Sequence, residues 1–155
     1  MKKIGFTIGK FAPLHKGHEY LIETALKETD ELYVVIYDTD VTDISVEKRA
    51  KWITDRFNDV KIIYAYDSPK QYGLDDESVN IQMKYLVDVL GDEKPTHFYS
   101  SEKYGASVAK YMNLIDRRVD NDRKEVPISA SIVREDLEKN KNWISNNVYK
   151  DCKID

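Results

Sequence analysis

The chain has 155 residues, 41% hydrophobic and 34% charged, which suits one globular domain over 1–155 and argues against general disorder. Its 24 Lys and Arg against 28 Asp and Glu give a net charge of −4, not the balance of a general nucleic-acid coat. A single cysteine, Cys152, allows neither an intrachain disulfide nor a cysteine-based zinc site, and no apolar stretch approaches the length of a membrane span.

Met1-Lys2-Lys3 precedes an apolar run, Ile4 to Ile8, that is too short for a secretory leader and is followed by Lys10. The expectation is a reduced, cytoplasmic protein with no membrane and no nucleic-acid partner. Lys3 to Ile8 predicts a first strand ending at Gly9. After the Pro13–Gly17 turn, Tyr20, Leu21, Ile22, Ala25 and Leu26 recur at helical spacing as far as Lys27. Glu31 to Tyr37 is rich in β-branched and aromatic residues and predicts a second strand. Ser45 opens a helix whose apolar face is Ala50, Trp52, Ile53 and Phe57, and Val60 to Ala65 is a third strand. Asp67 to Asp76 reads as a loop, and a helix runs from about Ser78 to Leu90, stopped by Gly91 and Pro95. Thr96 to Tyr99 is a fourth strand, Lys103 to Met112 a helix, Leu114 to Val119 a short fifth strand and Ala130 to Lys139 a last helix. Lys139 to Asn147 reads as a loosely held polar tail anchored by Trp143 and Ile144.

Strands alternating with helices of this length predict an α/β fold: a Rossmann-like, doubly wound parallel sheet of about five strands. Ligands of such sheets bind beyond the carboxyl ends of the strands, where the strand order reverses. The loops 9–18 and 99–103 lie at those ends.

The run from Gly9 to His18, GKFAPLHKGH, leaves a strand and enters a helix. A helix N-terminus offers free N–H groups and the positive end of its dipole to an anion. Gly9 and Gly17 let backbone approach a ligand, Lys10 adds a positive charge, and His15 and His18 share one side of the first turn. Together these form a phosphate cradle. Two histidines three apart could also ligate a metal, but they supply only two ligands, and the one other histidine is His97. Asp38, Asp40 and Asp43 are a second metal candidate with nothing to fix their geometry. Near the other end, Ile128-Ser129-Ala130-Ser131 opens a helix with Ser129 as N-cap, and Ser131 and Arg134 share a side. It reads either as a second phosphate-binding helix start or as an ordinary capped helix. Arg117-Arg118 reads as a solvated pair.

Gly9, Phe11, Pro13, His15, Gly17 and His18 match every fixed position of the G-x-F-x-P-x-H-x-G-H signature of the HIGH-motif nucleotidyltransferases. ISASIVR, residues 128–134, is similar to the second motif of that superfamily, I-S-x-[ST]-x-[IV]-R. The resemblance implies a nucleotidyltransferase fold. It also implies that Ser129, Ser131 and Arg134 hold the β- and γ-phosphates of a nucleoside triphosphate, with Arg123 and Ser100 nearby. Within the superfamily the chain resembles the nicotinamide-mononucleotide adenylyltransferase domain of NadR-like proteins. The likeness continues through Arg49, Trp52, Tyr99 to Glu102, Tyr104, Gly105, Val119, Asp120, Trp143 and Ile144.

The expected reaction is transfer of AMP from ATP to a phosphate-monoester acceptor, nicotinamide mononucleotide first, with release of pyrophosphate and with Mg²⁺ accompanying ATP. His15, His18, Lys10 and Arg134 are the expected catalytic groups, and Gly9, Phe11, Gly17, Ser129, Ser131, Arg123 and Ser100 the nucleotide-binding ones. No metal ligand is expected from the protein.

The chain departs from the family in two places. No kinase domain follows Asp155, so the adenylyltransferase half alone is expected, with self-association or a separate kinase open. The family's aromatic residue before the third helix is replaced by Leu74 to Ser78, with Tyr72 the nearest aromatic. The acceptor therefore stays open to phosphopantetheine or a sugar- or polyol-phosphate. A CTP-using transferase and a nucleotide-binding sensor without turnover are the remaining readings.

Overall fold

In the computed structural model, residues 2–69, 75–101, 105–120 and 123–153 are described. Five strands alternate with helices: β1 (Ile4–Gly9), α1 (Lys16–Glu28), β2 (Glu31–Tyr37), α2 (Val46–Arg56), β3 (Lys61–Ala65), α3 (Asp76–Leu90), β4 (His97–Ser100), α4 (Gly105–Met112) and β5 (Ile115–Arg118). A short helix α5 (Ala130–Glu135), a 3₁₀ turn (Lys141–Trp143) and α6 (Asn146–Lys153) follow.

All strand pairs are parallel, in the order β3-β2-β1-β4-β5. The period-2 alternation of side chains divides the core between the two faces of the sheet. Leu32, Val34 and Ile36 of β2 pack on one face with Ile22 and Ala25 of α1 and Ala50, Trp52 and Ile53 of α2. Tyr33 and Val35 pack on the other with Met83, Leu86 and Leu90 of α3 and Val108 of α4. The chain winds outward from β1 to β3, then crosses back through α3 to β4 on the far side of β1. The order thus reverses between β1 and β4, and the carboxyl ends of these two strands lie side by side there.

Helix starts follow local chemistry. Ser45 Oγ accepts from Lys48 N–H at 3.1 Å, and the Asp75 carboxylate accepts from Ser78 N–H at 3.1 Å. The latter cap starts α3 at Asp76, two residues before the helix expected from Ser78. Of the loop expected over 67–76, residues 70–74 lie outside the described residues, and so do Tyr72 and Leu74.

Two expectations at the end of the chain are corrected. The helix expected over Ala130–Lys139 stops at Glu135, because the buried Asn140 side-chain amide donates to the carbonyls of Ile132 and Asp136 and closes its C-terminus. The stretch from Lys139 to Asn147 is not a loose tail. It turns through a 3₁₀ helix into α6, and Ile144 and Val148 sit in the same core cluster as α1 and α2. Trp52 Nε1 donates to the Asp151 carboxylate of α6 at 2.7 Å and ties the last helix to α2. No helix among the described residues is long and apolar enough to cross a membrane.

Candidate active site

A cavity of about 600 Å³ opens at the carboxyl ends of β1 and β4. All eleven site residues named from the sequence line it: Gly9, Lys10, Phe11, His15, Gly17 and His18 from the first segment, Ser100 from the end of β4, and Arg123, Ser129, Ser131 and Arg134 from the last. Segments more than 100 residues apart in sequence therefore converge on one crevice.

The two histidines cap α1 reciprocally. His15 is the N-cap residue, and its Nδ1 accepts from the backbone N–H groups of Gly17 (3.0 Å) and His18 (3.3 Å). His18 Nδ1 accepts in return from the backbone N–H of His15 at 3.1 Å. This is the logic of a capping box, with imidazoles in place of the usual hydroxyl and carboxylate. A ring nitrogen that accepts carries no proton, so each neutral ring has its N–H at Nε2. The rings stack with centroids 3.7 Å apart, and Phe11 packs edge-on against His18 at 4.8 Å.

Burial, reinforced by the charge of Arg123, pulls His15 down to about 4. Burial also holds His18 well below its ordinary value, with His15 and Arg123 adding to the effect. Both rings are neutral at pH 7. They enter the cavity as Nε2–H donors rather than as cations, and the positive charge there comes from Lys10, Arg123 and Arg134.

The two glycines make room for side chains. A Cβ on Gly17 would stand 2.7 Å from His15 Cε1, so glycine is required for the capping ring to fold over the turn. A Cβ on Gly9 would meet the Phe11 ring at 3.2 Å. The sequence reading assigned both glycines to the approach of a ligand. They do line the cavity, but the space they vacate is filled by the protein's own rings. Phe11 turns the loop with a positive φ of 50°.

On the opposite wall, Ser129 caps α5, its Oγ accepting from Ile132 N–H at 3.4 Å and standing 3.2 Å from Ser131 Oγ. Arg134 reaches across to the first segment and donates to the Ala12 carbonyl at 2.6 Å. Arg123 donates to the Ile128 carbonyl at 2.6 Å. Asp120 orders this loop by accepting from the N–H groups of Glu125 and Val126, both at 2.9 Å. Each arginine is thus fixed by a main-chain carbonyl of the loop it serves.

Other residues singled out in the sequence have structural work. His97 sits at the start of β4, at the other end of the strand from Ser100, with Nδ1 2.7 Å from Thr96 Oγ, so it cannot complete a metal set with His15 and His18. Asp38 accepts from the backbone N–H groups of Asp67 and Ser68 (3.2 and 3.0 Å) and contacts Ser68 Oγ, which commits it to the turn after β3. No group of three or more metal-ligating side chains occurs among the described residues. Arg117 and Arg118 do not line the cavity and stay partly exposed in surface ion pairs. Arg117 binds the Glu28 carboxylate through Nε (3.1 Å) and an Nη (3.0 Å), and Arg118 pairs with Asp116. Glu102 and Tyr104 lie outside the described residues.

Sequence reasoning missed a third wall of the cavity, formed by Ile8, Tyr37, Val79, Gln82, Met83 and Val108. These come from strand ends and from α3 and α4, and no motif marks them. It also left Arg49 without a role. That side chain is buried (2% exposed), and its guanidinium donates to the carbonyls of Ile44 (3.0 Å), Lys10 (2.5 Å) and Tyr37 (2.9 Å). Burial lowers its affinity for its proton, opposed by the charge of Asp38.

The Citrate lyase ligase C-terminal domain family matches residues 5–74, which include the whole of the first segment. The trifunctional NAD biosynthesis/regulator protein NadR of Salmonella typhimurium is 30% identical, with 86% of this chain and 37% of that protein aligned. A crystal structure of a NadR protein in complex with NAD and AMP-PNP superposes with a TM-score of 0.69 at 24% identity, over 97% of this chain and 46% of the other. The chain has the nucleotidyltransferase fold and resembles one part of NadR. A bifunctional NMN adenylyltransferase/ADP ribose pyrophosphatase from Francisella tularensis shares the fold at a TM-score of 0.65 and 20% identity, over 98% of this chain and 52% of that one. The chain spans about 37% of the length of its NadR relative, so the NadR likeness concerns one part of that trifunctional protein.

Proposed function

We propose that this NadR-like chain is an adenylyltransferase of NAD biosynthesis, moving AMP from ATP to the phosphate of nicotinamide mononucleotide. An acceptor phosphate oxygen attacks the α-phosphorus in line. A new P–O bond forms, the bond from the α-phosphorus to its bridging oxygen breaks, and pyrophosphate leaves with that oxygen. The nucleophile is already anionic, so the protein's task is positioning and charge stabilisation rather than proton abstraction.

The observation that carries this reading is the convergence of the two anion-binding segments on one cavity, with both imidazoles held as neutral Nε2–H donors. His15 and His18 donate to the triphosphate, His18 nearest the α-phosphate. The backbone N–H groups at the start of α1 add to the cradle. Lys10 and Arg134 offset charge passing to the pyrophosphate, Ser129 and Ser131 hold the β- and γ-phosphates, and Arg123 adds positive charge beside them. Gly9, Phe11 and Gly17 shape the floor, and Ser100 borders the nucleotide. Mg²⁺ enters as part of the ATP complex, held by phosphate oxygens and water. Asp120 is the cavity's carboxylate among the described lining residues, and it is committed to its own loop.

The test is pyrophosphate release from ATP and Mg²⁺ with a panel of nicotinamide mononucleotide, nicotinate mononucleotide, phosphopantetheine and polyol phosphates, repeated with CTP. Expected are turnover and a dinucleotide product with ATP and nicotinamide mononucleotide. In His18→Ala, kcat should fall about 10²–10³-fold with a smaller change in the KM for ATP. ATP binding without turnover on any acceptor would leave a sensor instead.

A further inference from the structure

The cavity has two chemically different ends. Among the described residues its cations are Lys10, Arg123 and Arg134, all from the loops that carry the imidazoles and α5. The other end is walled by Ile8, Val79, Met83 and Val108, with Tyr37 and Gln82 as its larger polar side chains. A recess whose described lining is uncharged and largely apolar, beside an anion cradle, suits an organic head group attached to a phosphate. Within that recess Tyr37 stands out.

Tyr37 is the last residue of β2, one strand from β1, and three contacts fix where it stands. Its carbonyl accepts from the buried Arg49 guanidinium at 2.9 Å. Its ring packs edge-on against Tyr85 at 5.9 Å, and the Tyr85 hydroxyl donates in turn to the Tyr66 carbonyl at 2.6 Å. The Tyr37 hydroxyl, by contrast, has no hydrogen-bond partner among the described residues, while those of Tyr33, Tyr85 and Tyr99 each have one. Burial pushes the phenol up, so it stays protonated and is a donor at every working pH. The hydroxyl oxygen is not sealed from the cavity that Tyr37 lines, so this rigidly mounted O–H is available to an acceptor on a bound molecule.

We propose that the Tyr37 hydroxyl is the specificity-determining donor for the acceptor substrate, hydrogen-bonding a carbonyl oxygen carried by the head group while the acceptor's phosphate lies toward the imidazoles. This assignment rests on the function proposed above, and it adds the residue that selects the acceptor. It also joins the two ends of the site. The Arg49 guanidinium that holds the Tyr37 carbonyl holds the Lys10 carbonyl as well, at 2.5 Å. The head-group donor and the phosphate loop are therefore set in register by one buried side chain.

The experiment compares wild type with Tyr37→Phe and Tyr37→Leu. It measures direct calorimetric binding of nicotinamide mononucleotide, and separately the steady-state kinetics with ATP and Mg²⁺. Removing one neutral hydrogen bond corresponds to about a threefold to tenfold effect. Tyr37→Phe should weaken acceptor binding and raise the acceptor KM by that factor, while the KM for ATP stays within about twofold. Tyr37→Leu, which also loses the ring, should weaken acceptor binding further. Unchanged acceptor affinity in Tyr37→Phe overturns the assignment and leaves the proposed activity standing, as does a parallel loss of ATP affinity. Absence of both binding and turnover in wild type overturns the assignment together with the activity. Acceptor binding that depends on Tyr37 without turnover supports the assignment and overturns the activity alone.

Discussion

At the level of single residues, the site depends on two imidazoles being uncharged. Each Nδ1 is occupied by backbone N–H groups, so protonating either ring there breaks part of the α1 cap. The folded protein therefore resists binding protons that the unfolded chain takes up near pH 6.5. A histidine whose folded pKa is lowered contributes stability that is fully present above the unfolded value and is lost as pH falls. For His15 that window runs from about 6.5 down to about 4, and His18 extends it in the same direction. With His15 almost fully buried, its share is on the order of 2–3 kcal/mol at the low end. We expect urea stability to fall across this window in wild type and to fall less steeply in His15→Asn, which keeps an N-cap acceptor without that ring's titration and leaves the His18 share. Nitrogen chemical shifts at pH 7 should report both rings as the neutral Nε2–H tautomer. Imidazolium shifts would contradict the capping geometry.

At the level of elements, Arg49 shows how a buried charge from one helix can organise loops belonging to others. Its three acceptors come from the loop after β1, the end of β2 and the residue just before the α2 cap. Arg49→Met would leave these carbonyls without their donor and should cost about 2–4 kcal/mol in denaturant unfolding. Arg49→Lys keeps the charge but not the planar fork, and should recover only part of the loss. A stability within about 0.5 kcal/mol of wild type for Arg49→Met would refute this role.

Arg49 also marks where sequence reading stops. The strands β1 and β2 and the helix α1 were legible because their apolar periodicity is local, and Gly9 to His18 because its spacing reflects one strand-to-helix turn. Arg49 sits in a helical stretch whose pattern is satisfied by Ala50, Trp52 and Ile53, so nothing local says that its guanidinium points inward. The α6 segment was misread for a related reason. Its polar face dominates the composition, and its burial depends on Val148 and Asp151 meeting α2, about 100 residues away. Tyr37 likewise reads as one more strand aromatic until β1 and α3 are placed beside it.

At the level of the whole molecule, the two halves of the sheet meet at the reversal between β1 and β4, and the candidate site straddles that line. One wall comes from the first 18 residues and the other from 119, 120 and 123–134, joined by the bond from Arg134 to the Ala12 carbonyl. A triphosphate lying between them would contact both walls at once. Each wall would then be ordered by the same binding event, because a ligand stabilises the state that holds its contacts together. Hydrogen exchange with a non-hydrolysable ATP analogue and Mg²⁺ should therefore slow amides in 9–18 and in 123–134 together, with the same dependence on ligand concentration. The edge strand β3 should be unaffected. Arg134→Ala should weaken the protection of both segments, since its guanidinium contacts the first wall from the second. Protection confined to 9–18, or midpoints that differ between the two segments, would mean that the walls do not share one ligand.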